Sequence, residues 1–284
     1  MRLLRSTVPD NCDIVLIGDE HFGAKASFTK GVDKVLSWTT KKDDRFFVHM
    51  GDAIEARMVD HKYFDIDTIS DGQTKPMLQA ESVIERYKGT ESRCLAWLYG
   101  NHEHSLHRYG NLTMYICNQL GIPDTYGGAE AKLRLDNTDG KQICKMYLYH
   151  PYKFVMNSNA KDEEQRQANM KARLKWFLQR KAADCLVMAC GHSHKLFVVE
   201  PVRSLLMTDD GKDIQQEYLR QGAGDAKYIE PNRRWYASTG TFLRTTILDA
   251  DTYSSQAGYD PVELGYVLVK IRDGIVHSLE EVTV

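Results

Sequence analysis

Five stretches of the sequence place residues that bind metals or move protons directly after a short apolar run. Cys12 to Ile17 is followed by Gly18-Asp19-Glu20-His21, Phe46 to Met50 by Gly51-Asp52, and Cys94 to Tyr99 by Gly100-Asn101-His102-Glu103. Lys145 to Tyr149 runs straight into His150, and Cys185 to Cys190 ends at Gly191-His192-Ser193-His194. Eight residues carry the chemistry: Asp19, His21, Asp52, Asn101, His102, His150, His192 and His194, five of the ten histidines among them. With His102 set aside, four imidazoles, two carboxylates and an amide oxygen form an N/O donor set of the kind that holds Mn²⁺, Fe or Zn²⁺. Seven donors with one bridging carboxylate make two four-donor sites. Positions left open to water mark such sites as catalytic rather than structural. Two divalent ions ~3.5–4 Å apart are a template for displacement at phosphorus, because they polarise phosphoryl oxygens and make hydroxide available near neutral pH.

Apolar runs this short, stopped by glycine and polar residues, read as strands buried on both faces. Helical stretches lie between them: Phe28 to Thr40, about Lys75 to Lys88, Asn111 to Leu120 closed by Gly121, and Asp162 to Ala182 with Met170, Leu174, Phe177 and Leu178 on one face. Three pairs of runs flank turn sequences and predict antiparallel hairpins: Ala131 to Leu135 with Gln142 to Tyr149, Leu196 to Met207 with Asp213 to Leu219, and Tyr266 to Ile271 with Ile275 to Val282. The fold class expected is α/β with mixed sheets, and ligands in such sheets gather beyond the carboxyl ends of strands, where all five polar clusters fall.

In these blocks the sequence resembles the calcineurin-like metallophosphoesterases, whose pattern is Asp-x-His, Gly-Asp, Gly-Asn-His-Asp/Glu, a lone His and Gly-His-x-His. The blocks occur in that order between Asp19 and His194. The resemblance implies a sandwich of two mixed β-sheets flanked by α-helices, spanning residues 1–284 as one domain. It implies two divalent metal ions, Mn²⁺ first and Fe, Zn²⁺ or Ni²⁺ as alternatives. Asp19, His21, Asp52 and His194 would hold one; Asp52, Asn101, His150 and His192 would hold the other. His102 would be the catalytic residue, touching the phosphate and protonating the leaving oxygen. Phosphoprotein phosphatases of the superfamily carry Gly-Asp-x-x-Asp-Arg-Gly and one histidine after the last glycine, whereas this chain has Gly51-Asp52-Ala53-Ile54-Glu55-Ala56-Arg57 and two histidines, His192 and His194. In size, and in the tail from Arg234 to Phe242, the chain is similar to small stand-alone members found in bacteria and their phages. The expected activity is hydrolysis of a phosphodiester or nucleotide-type phosphate by metal-bound hydroxide. A metal-dependent nuclease is the alternative, and a non-catalytic protein-interaction scaffold of the same fold is a third reading.

Composition bounds the rest. The chain has 284 residues, 37 Lys and Arg against 39 Asp and Glu, and six cysteines without C-x-x-C spacing. That excludes a disulfide framework and makes a thiolate zinc site unexpected. The balanced charge does not point to nucleic acid, so a small phosphoester is the expected partner. The opening stretch reaches Pro9 and Asp10 before an apolar segment could form, and no run approaches the ~18 residues of a membrane span. A cytoplasmic location without membrane partners is therefore expected; the oligomeric state is left open. His49 reads as a core histidine, His61 as solvated, and Glu103 as structural near a helix start. His104 and His107 read as a surface helix face with a substrate role as the alternative. Arg233 and Arg234 beside Trp235 read as surface charges flanking a loop anchor, with a phosphate grip as the alternative. Lys171, Arg173, Lys175, Arg180 and Lys181 read as a solvated face. Residues 55–93 and 203–233 are the expected carriers of specificity.

Overall fold

The apolar runs that lack polar alternation do become strands covered on both sides. A computed structural model describes residues 1–61 and 64–284, and of Tyr253 the backbone alone. The strands are β1 (Arg2–Thr7), β2 (Cys12–Ile17), β3 (Arg45–His49), β4 (Cys94–Leu98), β5 (Tyr126–Gly128), β6 (Glu130–Asp136), β7 (Gln142–Tyr149), β8 (Val187–Cys190), β9 (Leu196–Val199), β10 (Ser204–Asp209), β11 (Ile214–Leu219), β12 (Trp235–Thr239), β13 (Gly265–Arg272) and β14 (Ile275–Thr283). The helices are α1 (Thr29–Thr40), α2 (Pro76–Tyr87), α3 (Asn101–Ser105), α4 (Leu112–Gln119), α5 (Glu163–Leu178) and α6 (Tyr253–Gln256).

Two six-stranded mixed sheets result, in the orders β14-β13-β2-β3-β4-β5 and β1-β6-β7-β8-β12-β9. In the first, β2, β3, β4 and β5 run parallel and β13 is antiparallel to β2. In the second, β7, β8 and β12 run parallel while β6 and β9 are antiparallel. Successive side chains of a strand point to opposite faces. Ile14, Leu16, Val48 and Leu98 therefore meet Leu133, Met146, Leu148, Val187 and Trp235 between the sheets. Val15, Ile17, Phe47 and Trp97 face outward onto α1, α2 and α4 through Val32, Leu36, Val83 and Ile116. On the other outer face Tyr147, Met188 and Tyr236 pack on Met170, Leu174 and Leu178 of α5. Each such side chain contributes roughly 1.5–3 kcal/mol on burial. The fold is α/β, with two mixed sheets flanked by helices.

Caps set the helix starts. The Asp162 carboxylate accepts from Gln165 N at 2.8 Å, Asn111 accepts from Met114 N at 2.9 Å, and Pro76 opens α2. Two boundaries differ from the sequence expectation. Helix α5 stops at Leu178 rather than Ala182: Lys181 N bonds Leu178 O at 3.0 Å in a tighter turn, and the carbonyls of Gln179 and Ala182 beyond it accept from the Arg234 guanidinium. The run from Leu196 to Met207 is two strands in different sheets, β9 and β10: Pro201 offers no N–H to a ladder, and Val202 N turns to Asn232 O at 2.7 Å. All six cysteines are buried and free. Among the described residues no helix is long and apolar enough to cross a membrane.

Candidate metal centre

The loops that follow β2, β3 and β4 of one sheet and β7 and β8 of the other meet at one edge of the sandwich. Asp19 N donates to Gly51 O at 2.9 Å, and Glu20 N and His21 N to Asp52 O at 3.0 and 3.1 Å, so the first two loops are laced together. Asp19, His21, Asp52, His192 and His194 all have φ between 50° and 73°. Left-handed backbone at non-glycine residues is uncommon and collects at functional sites. Five of the eight such residues among those described belong to this one cluster. Gly100 is the point of closest approach: a Cβ there would lie 2.0 Å from Asp52 Oδ1.

The side chains converge. Asp52 Oδ2 lies 3.2 Å from His150 Nε2, which is also 3.2 Å from Asn101 Oδ1. Asn101 Oδ1 lies 2.7 Å from His192 Nδ1. Asp19 Oδ1 is 3.2 Å from His194 Nε2, which is 3.2 Å from His21 Nε2. Donor atoms of Asp19, His21 and His194 lie within 4.8 Å of one another, as do those of His21, Asp52 and His102 and those of Asp52, His150 and His192. Asp52 is shared by the last two groups.

Outer partners decide which nitrogen of each ring faces inward. His150 Nδ1 donates to Met50 O at 2.7 Å, and His21 Nδ1 donates to Glu55 Oε2 at 3.0 Å. His150 Nε2 is thereby left with a lone pair aimed at oxygens of Asp52 and Asn101, and His21 Nε2 with a lone pair facing His194 Nε2. The first of these constellations is satisfied only by a cation or an extra proton at its centre, and a histidine whose second nitrogen is tied to a carbonyl or carboxylate is the usual metal-ligand arrangement. The charges express the same demand. Burial opposes ionisation of His150, yet Asp52 and then Asp19 drive it up to about 10. Burial likewise opposes the charge on Asp52, but His150 and His102 hold it well below the carboxylate range. His192 is pushed down to about 4 by burial and by charge on His150. The donor set thus fits a divalent first-row metal: these buried His and Asp groups could hold metal ions.

His102 sits beside this set. Its backbone N donates to Asp52 Oδ1 at 2.9 Å and its Nδ1 to Glu55 O at 2.5 Å. The residue belongs to the wall of a cavity of about 850 Å³ that opens over the cluster. Burial opposes its charge, but Asp52 and Glu55 raise its pKa. Glu55 was not singled out from the sequence. Its carboxylate takes His21 Nδ1 and Arg57 Nε at 3.0 and 2.8 Å while its carbonyl orients His102. Burial opposes its charge, yet His102, His21 and Arg57 hold it at about 2. Its place three residues after Asp52, where the phosphatase motif has an aspartate, is the signal that could have found it.

The other candidates separate cleanly. His49 is buried, stacks on Trp97 with ring centroids 4.3 Å apart and lies 3.6 Å from Glu20, a core position. Glu103 binds Gly100 N and Ile54 N at 2.8 and 3.1 Å, so it ties two loops together. His104 and His107 pack on Tyr99, His104 also on Tyr152, and neither lines the cavity. His61, exposed, does line it. Arg234 is buried and donates to the carbonyls of Ile229, Gln179 and Ala182, a structural anchor that reaches no phosphate site. Arg233 pairs with Glu230 at 3.6 Å. The basic stretch of α5 is partly engaged, with Lys171 3.7 Å from Glu281 and Lys175 2.5 Å from Asn232. Residues 55–58, Asp60, His61 and Thr68 line the cavity; among the described residues none of 203–233 does, whereas 154–157 and several of 243–262 do.

No family model and no curated protein sequence matches the chain. Among solved structures it is similar to the NAD nucleotidase NadN of Haemophilus influenzae, at 15% identity and a TM-score of 0.44, over 96% of this chain and 50% of that one. The chain spans about half the length of that protein.

Proposed function

We propose that the chain is a dinuclear metal-dependent phosphoesterase acting on a small phosphodiester or nucleotide-type phosphate. The observation that carries this is the inward convergence of seven N/O donors from both sheets, with His21 and His150 turned Nε2-inward by outer acceptors. Asp19, His21, Asp52 and His194 would hold one ion and Asp52, Asn101, His150 and His192 the other, Mn²⁺ being the first choice. Bound there, the ions would polarise the phosphoryl oxygens and lower the pKa of water. His102, fixed through Nδ1, offers Nε2 to protonate the departing oxygen. A cavity of about 850 Å³ suits a ligand of nucleotide size. Arg57, Arg108 and Arg166 on its wall are paired with Glu55, Asp60 and Asp260, which favours a small substrate over a polyanionic nucleic acid.

The test is a leaving-group series on wild type and His102→Ala, with metal content measured in parallel. General acid catalysis contributes typically ~10²–10⁴-fold. The variant should keep its metal and lose far more rate on alkyl or nucleoside esters, whose alkoxide needs a proton, than on nitrophenyl esters. Equal losses on both would reduce His102 to a phosphate contact, and loss of metal would make it a ligand.

A further inference from the structure

The hairpin β10–β11 is a separate two-stranded sheet, paired with neither six-stranded one. Its register sets Leu205 opposite Tyr218, Met207 opposite Gln216 and Asp209 opposite Ile214. Residues two apart share a face, so Leu205, Met207, Ile214 and Tyr218 lie together on one side, with Gln216 and Asp209 beside them. Ser204, Thr208, Gln215 and Glu217 occupy the other, with Leu206 and Leu219. The four apolar side chains of the first face are 48%, 75%, 70% and 58% exposed. A ribbon patterned for burial on one side has that side in solvent, and a lone two-stranded hairpin is marginal in water.

Together these side chains offer a few hundred Å² of apolar surface, comparable with the largest patch on a typical monomer (~300–600 Å²). A stable interface draws ~800 Å² from each partner, so the patch supplies an apolar centre and its polar neighbours a rim. Charge along the ribbon says what fits. The tip carries Asp209, Asp210 and Asp213 against one cation, Lys212. The base carries Arg203, stacked 3.9 Å over the Tyr218 ring, while Arg220 is neutralised by Glu200 at 2.6 Å. An acidic tip and the Arg203 cation at the other end of one apolar face are self-complementary. A two-fold axis through that face lays two ribbons antiparallel and sets each acidic tip against the other's Arg203, as an isologous contact requires. We infer that this face joins two copies of the chain in a symmetric dimer.

Sedimentation velocity at rising concentration tests this, up to roughly 100 µM, where a micromolar dimer is almost fully formed. The wild type should be dimeric. Met207→Asp and Tyr218→Asp should be monomeric while still melting cooperatively, since both positions are exposed. Arg203→Glu and Asp209→Lys should each weaken the dimer, and an equimolar mixture of the two should restore it, because both contacts of the mixed pair are then attractive. A wild type that stays monomeric, including one that instead uses Met207 to bind vesicles or nucleic acid, overturns the inference. So does a dimer that survives Met207→Asp and Arg203→Glu combined.

Discussion

Replacing Glu55 by glutamine probes the centre without touching any of its proposed ligands. The residue is 5% exposed, and its carboxylate receives His21 Nδ1 at 3.0 Å and Arg57 Nε at 2.8 Å. Glutamine keeps the volume but has one acceptor oxygen, so its NH₂ must face either the imidazole N–H or the guanidinium. A hydrogen bond to a charged group contributes ~1.5–3 kcal/mol. Changing such an outer partner of a metal-binding histidine typically weakens metal affinity ~10–100-fold, or about 1.4–2.8 kcal/mol at 1.4 kcal/mol per decade. The carbonyl of residue 55, which holds His102 Nδ1 at 2.5 Å, is untouched. Glu55→Gln should therefore raise the Mn²⁺ dissociation constant ~10–100-fold and leave kcat at saturating metal little changed. Competition with a chelator gives the first quantity and rate against Mn²⁺ concentration the second. An unchanged affinity would refute the tautomer argument. A rate loss at saturating metal as large as that of His102→Ala would show that the carboxylate, not the carbonyl, positions His102.

Gly100→Ala would put a methyl 2.0 Å from Asp52 Oδ1. A displacement of that kind should lower hydrolysis by at least ~10²-fold, read together with metal content and a melting curve that stays cooperative. Arg234→Met strands the carbonyls of Ile229 and Gln179, whereas Ala182 O keeps Cys185 N at 3.4 Å. At ~1–3 kcal/mol for each unsatisfied group it should destabilise by ~2 kcal/mol or more in urea unfolding, with KM unchanged. Asp184, bridged by Lys132 and Lys145, is held down at about 2 although burial opposes its charge. Its folded pKa lies below its ordinary value of about 3.9, so its contribution is complete above that value and is lost as pH falls through the folded pKa. Urea midpoints measured between pH 5 and 2 should fall less steeply in Lys132→Met than in wild type.

Much of this was legible because burial on both faces writes itself into a strand as an unbroken apolar run. β2 was read to the residue, and β3, β4 and β8 within two, with the polar clusters at their carboxyl ends. Where a strand's identity depends on its neighbours, the sequence was silent. β1, an edge strand with Leu3 exposed, carries no apolar run. β12 holds Tyr236, Ala237 and Ser238 buried between β8 and β9, yet its polar residues read as a tail rather than a central strand. Arg234 looked like a surface charge because only the folded chain brings three carbonyls to it. Glu55 escaped for the same reason: its role lies in partners 34 and 47 residues away.

Counting metal while measuring hydrolysis tests the central claim most directly. Apo-protein titrated with Mn²⁺ should take up two ions per chain, and hydrolysis of an aryl phosphodiester should rise from nothing with the occupancy. Asp52→Asn, which removes the shared carboxylate, should lose metal and rate together, the rate by at least ~10³-fold. Undiminished hydrolysis by demonstrably metal-free protein, or two ions retained at a near-normal rate in Asp52→Asn, would contradict the account.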